Sequence, residues 1–202
     1  MKLRVDLDLS VEQADNIHGQ AGKDMIVLHE TVSGQAPESM ADIRAVSHFL
    51  DVKDYGIHGI VDNDGYVAWA YGEWDAVFWH TASQGMAGGG AVNRRAIGIE
   101  QISRVMLDYR SRTKRWQAWL QMKPELHACA KLIAAICNTH KTVPLRSSSG
   151  RTPGIVTHWE VTQQFQVPGG HTDCWPHHLG GYYPKLLILD LAARYKKLGY
   201  RL

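Results

Sequence analysis

The stretch of sequence that decides the fold is "DMIVLHETV", Asp24 to Val32. An apolar run from Met25 to Leu28 is followed at once by the polar residues His29, Glu30 and Thr31. Short apolar runs of this kind, rich in β-branched residues and bounded by polar groups, are typical of buried strands. We therefore predict a core strand that carries His29 at its C-terminal end.

Working outward, the periodicity of apolar residues predicts the other elements. Helical spacing indicates amphipathic or buried helices, and Asp64-Gly65 favours the positive φ of a tight hairpin turn. The predicted elements are helices over Glu38–Leu50, Pro124–Lys141 and Tyr183–Tyr200, a hairpin over Gly56–Gly72, and strands over Ala96–Ser103 and Gly154–His158. Strands interspersed with long helices predict the α/β class in a single domain, preceded by an approach segment over residues 1–20.

The composition is that of a globular protein. Hydrophobic residues make up 45% and charged residues 21% of the 202 residues, and the net charge is +2. This charge does not indicate a nucleic-acid-binding protein. The most basic segment is "YRSRTKR", Tyr109–Arg115, which we interpret as a solvated loop or, alternatively, as a contact with an anionic polymer such as a cell wall or nucleic acid.

The sequence patterns predict neither a membrane-spanning segment nor a secretory signal. The longest apolar runs fall short of the ~20 residues that cross a bilayer, and "MKLRVDLDLS" lacks the apolar core of a secretory signal. We expect a monomer that is synthesised in the cytoplasm without a signal peptide and has no membrane partner.

The cysteines do not form a disulfide framework. Cys129 and Cys137 lie eight residues apart on a predicted helix, or ~12 Å along its axis, which is too far for a disulfide. Cys174 is different, because it lies in the loop "GGHTDCWPHH", Gly169–His178, among possible metal ligands.

Two histidines follow predicted strands. His29 and His158 each stand at a strand end, the place where α/β proteins put their sites. Two imidazoles with one thiolate from Cys174 would suit zinc, which takes His, Cys and carboxylate ligands. The spacing alone does not choose among the 11 histidines.

The order of the motifs resembles a known family. "MIVLHETVSG", "GIHGIVDNDGYVAWAYGEWDAVFWHTAS", "NRRAIGIEQI" and "THWEV" with "GGHTDCWP" follow one another as in the zinc-dependent N-acetylmuramoyl-L-alanine amidases, which include amidase-type phage lysins and the peptidoglycan-recognition proteins. The resemblance implies a central mixed β-sheet flanked by α-helices, a catalytic domain over residues 21–202, and one Zn²⁺ per chain.

The resemblance also implies roles for particular residues. His29 and His158 correspond to the first two zinc ligands. Cys174 corresponds to the third because Thr172 stands two residues before it, and Asp173 is the alternative; Trp175 is an insertion in this loop.

Other positions correspond to the catalytic groups and to the substrate site. Glu100 is expected to accept the proton of the attacking water, and Thr172 to stabilise the oxyanion. The residues expected to bind substrate are His80, Asn93 and Tyr55.

The implied function is hydrolysis of the amide between N-acetylmuramic acid and L-alanine. Peptidoglycan is the expected partner, and the enzyme would act on the cell wall as a phage or prophage endolysin. Two alternatives differ in kind: a non-catalytic peptidoglycan-binding module, and a cysteine hydrolase that uses Cys174 as its nucleophile.

Overall fold

A six-stranded mixed sheet lies at the centre of the protein. The computed structural model describes residues 1–10, 13–32, 41–81, 89–103, 105, 109–166 and 173–202. The strands are β1 (Leu7–Asp8), β2 (Met25–Val32), β3 (Gly59–Val61), β4 (Val67–Trp69), β5 (Ala96–Ser103) and β6 (Gly154–Thr157). Their order across the sheet is β1-β4-β3-β5-β2-β6.

Helices cover both faces of this sheet. They are α1 (Ala41–Val52), α2 (Gly89–Arg95), α3 (Arg112–Gln121), α4 (Lys123–Thr139), α5 (His158–Phe165) and α6 (Lys185–Lys197), with short 3-10 turns at Ala14–Asn16 and His177–Leu179. Among the described residues, no helix combines the length and the apolar character that a bilayer crossing requires.

The strand β2 is the centre of the parallel part of the sheet. It pairs in parallel with β5 along its whole length and with β6 over its first half. Met25 to Leu28 are completely buried, as expected for a parallel strand with helices on both faces. The predicted core strand is therefore confirmed, and the C-terminal ends of β2, β5 and β6 share one edge of the sheet.

The alternation of side chains along the strands separates the core into parts. Ile26 and Leu28 face α4 and α6 in the largest apolar cluster. Met25 and Val27 face α2 and α5 on the other side, and α1 covers the neighbouring area over β3 and β4. His29 follows Val27 in this alternation and so projects from the face of α2 and α5.

The structure differs from the predicted elements in three places. The strand β6 ends at Thr157, and His158 begins α5 instead of ending the strand. The basic segment continues into α3, where Ser111 caps the helix by accepting a hydrogen bond from the Lys114 amide at 3.2 Å. In the N-terminal segment, β1 pairs with β4 as an edge strand of the sheet.

The remaining elements agree with the sequence patterns. The hairpin turn places Gly65 at a φ of 84°, and β5 has the predicted bounds. The helices α4 and α6 lie within one to three residues of prediction. The first residues of the predicted helix Glu38–Leu50 lie outside the described residues.

Candidate active site

Three side chains converge at the C-terminal edge of β2 and β6. They are His29 on β2, His158 at the start of α5, and Asp173 in the segment that follows α5. Their candidate ligand atoms all lie within 4.8 Å of one another. His29 Nδ1 is 3.1 Å from His158 Nδ1, and Asp173 Oδ1 is 3.2 Å from the same His158 nitrogen.

A capping box fixes His158. The Thr157 hydroxyl accepts a hydrogen bond from the Glu160 amide at 3.3 Å, and the Glu160 carboxylate accepts one from the Thr157 amide at 2.8 Å. The buried Lys185 ammonium lies 2.7 and 2.9 Å from the two Glu160 oxygens. The amides of Thr157 and Glu160 are thereby both hydrogen-bonded, which fixes the first turn of α5. His158 is the first residue of that turn.

The outer nitrogen of each imidazole has a partner in the segment after β4. His29 Nε2 is 2.9 Å from His80 Nδ1, and His158 Nε2 is 3.2 Å from the Thr81 carbonyl oxygen. A carbonyl only accepts, so Nε2 of His158 carries a hydrogen that it donates to Thr81, and Nδ1 faces His29 and Asp173. Burial lowers the pKa of His80 well below its usual range, so His80 is neutral and its Nδ1 can accept from His29.

One buried amide holds both of these partners. The Asn93 side-chain oxygen accepts hydrogen bonds from the His80 amide at 3.3 Å and from the Thr81 amide and hydroxyl at 3.0 and 2.7 Å. Asn93 is completely buried. The structure therefore places Asn93 behind the site, where it orients His80 and Thr81, and not on a surface that a substrate could reach.

Gly98 makes room for the His80 ring. A Cβ atom at this position would lie 2.9 Å from Cγ of His80 and 2.3 Å from Cδ1 of Ile57. The glycine in "AIGI" is thus required by a close approach across the face of β5.

The carboxylate of Asp173 is ionised in this setting. Burial by itself would raise its pKa, but the charge and hydrogen bond of His158, the charge of His29 and the Glu30 amide lower it to about 2. The Glu30 amide donates to Oδ2 at 3.3 Å, and the Asp173 carbonyl accepts from the Trp159 amide at 3.1 Å. These bonds join the loop to both β2 and α5.

Cys174 does not lie with the two histidines. Its backbone has a φ of 56°, in the left-handed region, and its completely buried side chain belongs to the apolar cluster of α4 and α6. Burial raises the pKa of this thiol well above its usual range. The predicted placement of Cys174 is thus corrected: the alternative residue, Asp173, occupies the third position of the group.

Glu100 lies on the strand next to His29. The two residues are direct partners in the β2/β5 pairing, so their side chains project from the same face of the sheet. Burial, followed by the nearby carboxylates of Asp173 and Glu30, raises the pKa of Glu100 well above its usual range. A carboxyl group with a raised pKa can both accept and return a proton near neutral pH.

The other residues that were predicted for the site differ in where they lie. His80 contacts His29 directly and is part of the site. Tyr55 lies in the turn after α1 and is 39% exposed, and its described hydrogen bonds are made by its backbone to Leu50 and Asn16. Thr172 lies outside the described residues.

Two groups that stabilise the site were not predicted from the sequence. The capping box around His158 was readable as Thr157-x-x-Glu160, the usual signature of a helix start. The buried Lys185 carries no such signal, because its pairing with Glu160 joins residues that are distant in sequence.

The comparison with protein families identifies the family of this chain. A model of the family Amidase_2, described as N-acetylmuramoyl-L-alanine amidase, matches residues 20–177. The chain belongs to this family. The match includes every residue of the site described above except Lys185, and it makes the protein an N-acetylmuramoyl-L-alanine amidase that acts on peptidoglycan, as the motifs predicted.

Solved structures share the fold of this amidase. The Staphylococcus aureus hydrolase AmiA in complex with its ligand is 17% identical, with a TM-score of 0.57 over 90% of this chain and 77% of that one. The PlyG catalytic domain is 12% identical, with a TM-score of 0.60 over 97% and 96% of the two chains. PlyL is 14% identical, with a TM-score of 0.56 over 95% and 97%. A search of curated protein sequences gives no significant match.

Proposed function

We propose that this amidase hydrolyses the amide between N-acetylmuramic acid and L-alanine with a zinc ion held by His29, His158 and Asp173. The observation that carries the proposal is the convergence of these three ligand atoms within 4.8 Å. Two imidazoles and one carboxylate are a common donor set of catalytic zinc, which leaves one position open. Bound there, Zn²⁺ would lower the pKa of a water molecule and polarise the carbonyl of the scissile amide.

The residues of the chain then have distinct tasks. His80 and the Thr81 carbonyl hold the outer nitrogens of the two histidines, which keeps the inner nitrogens directed at the metal position. Glu100 takes up the proton of the attacking water and passes it to the leaving amine, a role that suits its raised pKa and its place beside His29. These groups all come from one chain, which supports a monomer as the active form.

The burial of Cys174 argues against the cysteine hydrolase. A nucleophilic cysteine needs a lowered pKa and access to the substrate. Cys174 has a raised pKa and no exposed surface.

We also propose that the enzyme serves as an endolysin of a phage or prophage. The support is the resemblance of its motifs to the amidase-type phage lysins. Induced expression in a susceptible bacterium is expected to leave the cells intact until the membrane is permeabilised, and then to lyse them. Lysis without permeabilisation would contradict this role.

Two variants of neighbouring residues test the metal site. Asp173→Ala is expected to lose bound zinc and to release no new N-terminal alanine from purified peptidoglycan. Cys174→Ala keeps the ligand set and is expected to retain zinc and activity, with some loss of stability. Metal content and free alanine amino groups are measured on the same preparations, with and without a chelator.

Several results would contradict the assignment. Stoichiometric zinc in Asp173→Ala, or loss of zinc in a folded Cys174→Ala, would overturn the ligand set. New reducing ends without free alanine would indicate a glycosidase.

A further inference from the structure

A column of stacked side chains stands beside the proposed metal site. The rings of Trp159 and Trp175 stack with their centroids 5.6 Å apart and their planes at 15°. The Arg112 guanidinium lies over the Trp175 ring, 4.9 Å from its centroid. Both tryptophans are partly exposed and Arg112 is exposed, so the column is at the surface.

The column is tied to the site through the backbone. Trp159 directly follows His158, and Trp175 is two residues beyond Asp173. The Trp159 amide donates to the Asp173 carbonyl at 3.1 Å. The segments that carry the two tryptophans are therefore the segments that carry two of the proposed ligands.

The helix α3 braces this arrangement from outside. Arg112 donates to the Gly180 carbonyl at 2.8 Å, and Trp175 Nε1 donates to the Leu179 carbonyl at 3.2 Å. One helical turn after Arg112, Trp116 stacks on His177 with the centroids 3.9 Å apart. Arg112 and Trp159 both lie against the Trp175 ring, and Trp159, which directly follows His158, is the ring next to the catalytic group.

We propose that Trp159, backed by Trp175 and Arg112, is a stacking site for a neutral sugar ring of the peptidoglycan glycan strand. A pyranose presents an apolar face of C–H groups, and a flat indole offers an electron-rich apolar surface of similar size. This subsite deepens the proposed function, on which it rests, because it would hold the glycan next to the scissile amide. The Arg112 guanidinium is engaged with Gly180 and Trp175, so the column is suited to an uncharged ring more than to an anionic polymer.

Binding of a non-cleavable glycan tests the proposal. The probe is a tetramer of β-1,4-linked N-acetylglucosamine, which has the sugar rings of the strand but no lactyl amide. The wild-type enzyme is expected to bind it. Trp159→Ala is expected to raise the Kd by about 10-fold or more, since aromatic stacking changes a binding constant by a factor on the order of ten. Trp159→Phe, which keeps a smaller ring, is expected to fall between the two.

Trp74 provides a matched control. It is also partly exposed and stacked on another ring, with its centroid 4.1 Å from that of His140. It follows β4, which runs antiparallel to β3 and therefore ends at the edge of the sheet opposite to the site. Trp74→Ala is expected to bind the tetramer within about 2-fold of wild type.

Further variants keep the test decisive. If Trp159→Ala does not fold, Trp159→Leu retains apolar bulk without a ring and is expected to lose binding in the same way. Raising the salt concentration from about 50 mM to about 500 mM is expected to leave the Kd unchanged, because no charge pair carries the contact.

The proposal is overturned if the wild type does not bind the tetramer. Unchanged binding by folded Trp159→Ala or Trp159→Leu, an equal loss in Trp74→Ala, or binding that disappears with salt would also overturn it. Since the tetramer is not hydrolysed, binding without any release of alanine from peptidoglycan would count against the proposed function alone.

Discussion

Asn93 shows how a residue can control the site without reaching the substrate. Its side-chain oxygen accepts three hydrogen bonds from His80 and Thr81, and these residues hold the outer nitrogens of His29 and His158. Both proposed imidazole ligands therefore depend on one buried amide. Partners of this kind typically change metal affinity by 10- to 100-fold when they are removed.

We expect Asn93→Ala to weaken zinc binding by about 10-fold or more, because both imidazoles lose their fixed orientation. Asn138 is the control: its side chain donates to the carbonyls of Lys196 and Tyr200, between α4 and α6. Asn138→Ala should lose stability but keep its affinity for zinc. Competition with a chromophoric chelator measures both affinities. Equal zinc affinity in Asn93→Ala and wild type would show that the amide does not orient the ligands.

The second prediction at this scale concerns Gly98. Gly98→Ala places a methyl group against His80 and Ile57, and we expect it to destabilise the fold by about 1–3 kcal/mol through overpacking and to reduce amidase activity by displacing His80. Gly22 has no atom within 4 Å of a built Cβ, so Gly22→Ala should be near neutral. Urea unfolding and alanine release are measured for both variants. A Gly98→Ala enzyme as stable and active as Gly22→Ala would refute the steric explanation.

The residues of the site were predictable to different degrees. His29 and His158 stood out at predicted strand ends, and the resemblance of the motifs to the amidases then assigned them as ligands. Choosing Asp173 over Cys174 required the backbone, because the positive φ of Cys174 turns its side chain into the core while Asp173 stays with the histidines. No local pattern in "HTDCWP" encodes that turn.

At the scale of elements, α5 is the helix on which the site depends most. Its first residue is His158, and its capping box is backed by Lys185 from α6. Lys185 is completely buried, and it also donates to the Ser148 carbonyl at 3.0 Å. The ion pair thus joins the start of α5 to α6 and to the segment before β6.

Removing one partner of the Lys185–Glu160 ion pair should lower the free energy of unfolding more than removing both charges does. Lys185→Met leaves the Glu160 carboxylate buried without its cation, and we expect a loss of about 3–5 kcal/mol of unfolding free energy. Adding Glu160→Gln removes the charge and keeps a side chain that completes a capping box, so the double variant should recover part of the loss. Urea unfolding of the single and double variants measures this. A double variant less stable than Lys185→Met would contradict the argument.

The elements themselves followed from local patterns wherever an apolar stripe or run was present. The strands β2 and β5 and the helices α4 and α6 have such patterns. The helix α3 was missed because its sequence is strongly polar, and the one side chain described as buried within it is Trp119. The Ser111 cap is a local contact, whereas Arg112 and Trp116 hold the helix in place by stacking on residues that are distant in sequence.

On the scale of the whole molecule, the N-terminal segment completes the sheet. β1 pairs with the outer side of β4, and Leu3 and Leu9 are buried at 5% and 0% exposure. The first residues also contact the last: the Leu3 amide donates to the Arg201 carbonyl at 2.7 Å, and the Arg201 amide donates to the Met1 carbonyl at 2.9 Å.

Deleting residues 1–10 is expected to lower the unfolding free energy by about 4 kcal/mol or more, from the loss of two buried leucines, and to promote aggregation through the exposed edge of β4. Leu9→Ala removes part of the core and leaves the edge covered, so it should lose stability without aggregating. Thermal unfolding and light scattering distinguish the two. A truncated protein that unfolds at the wild-type temperature would show that β1 is dispensable.

The pairing of the chain ends has a consequence for engineering. The Arg201 amide donates to the Met1 carbonyl at 2.9 Å, so the two ends of the chain lie side by side. A module fused to either end would therefore leave from almost the same point. Swapping a wall-targeting module from one end to the other should therefore change its reach over the substrate very little, and a short glycine linker between the ends should permit circular permutation.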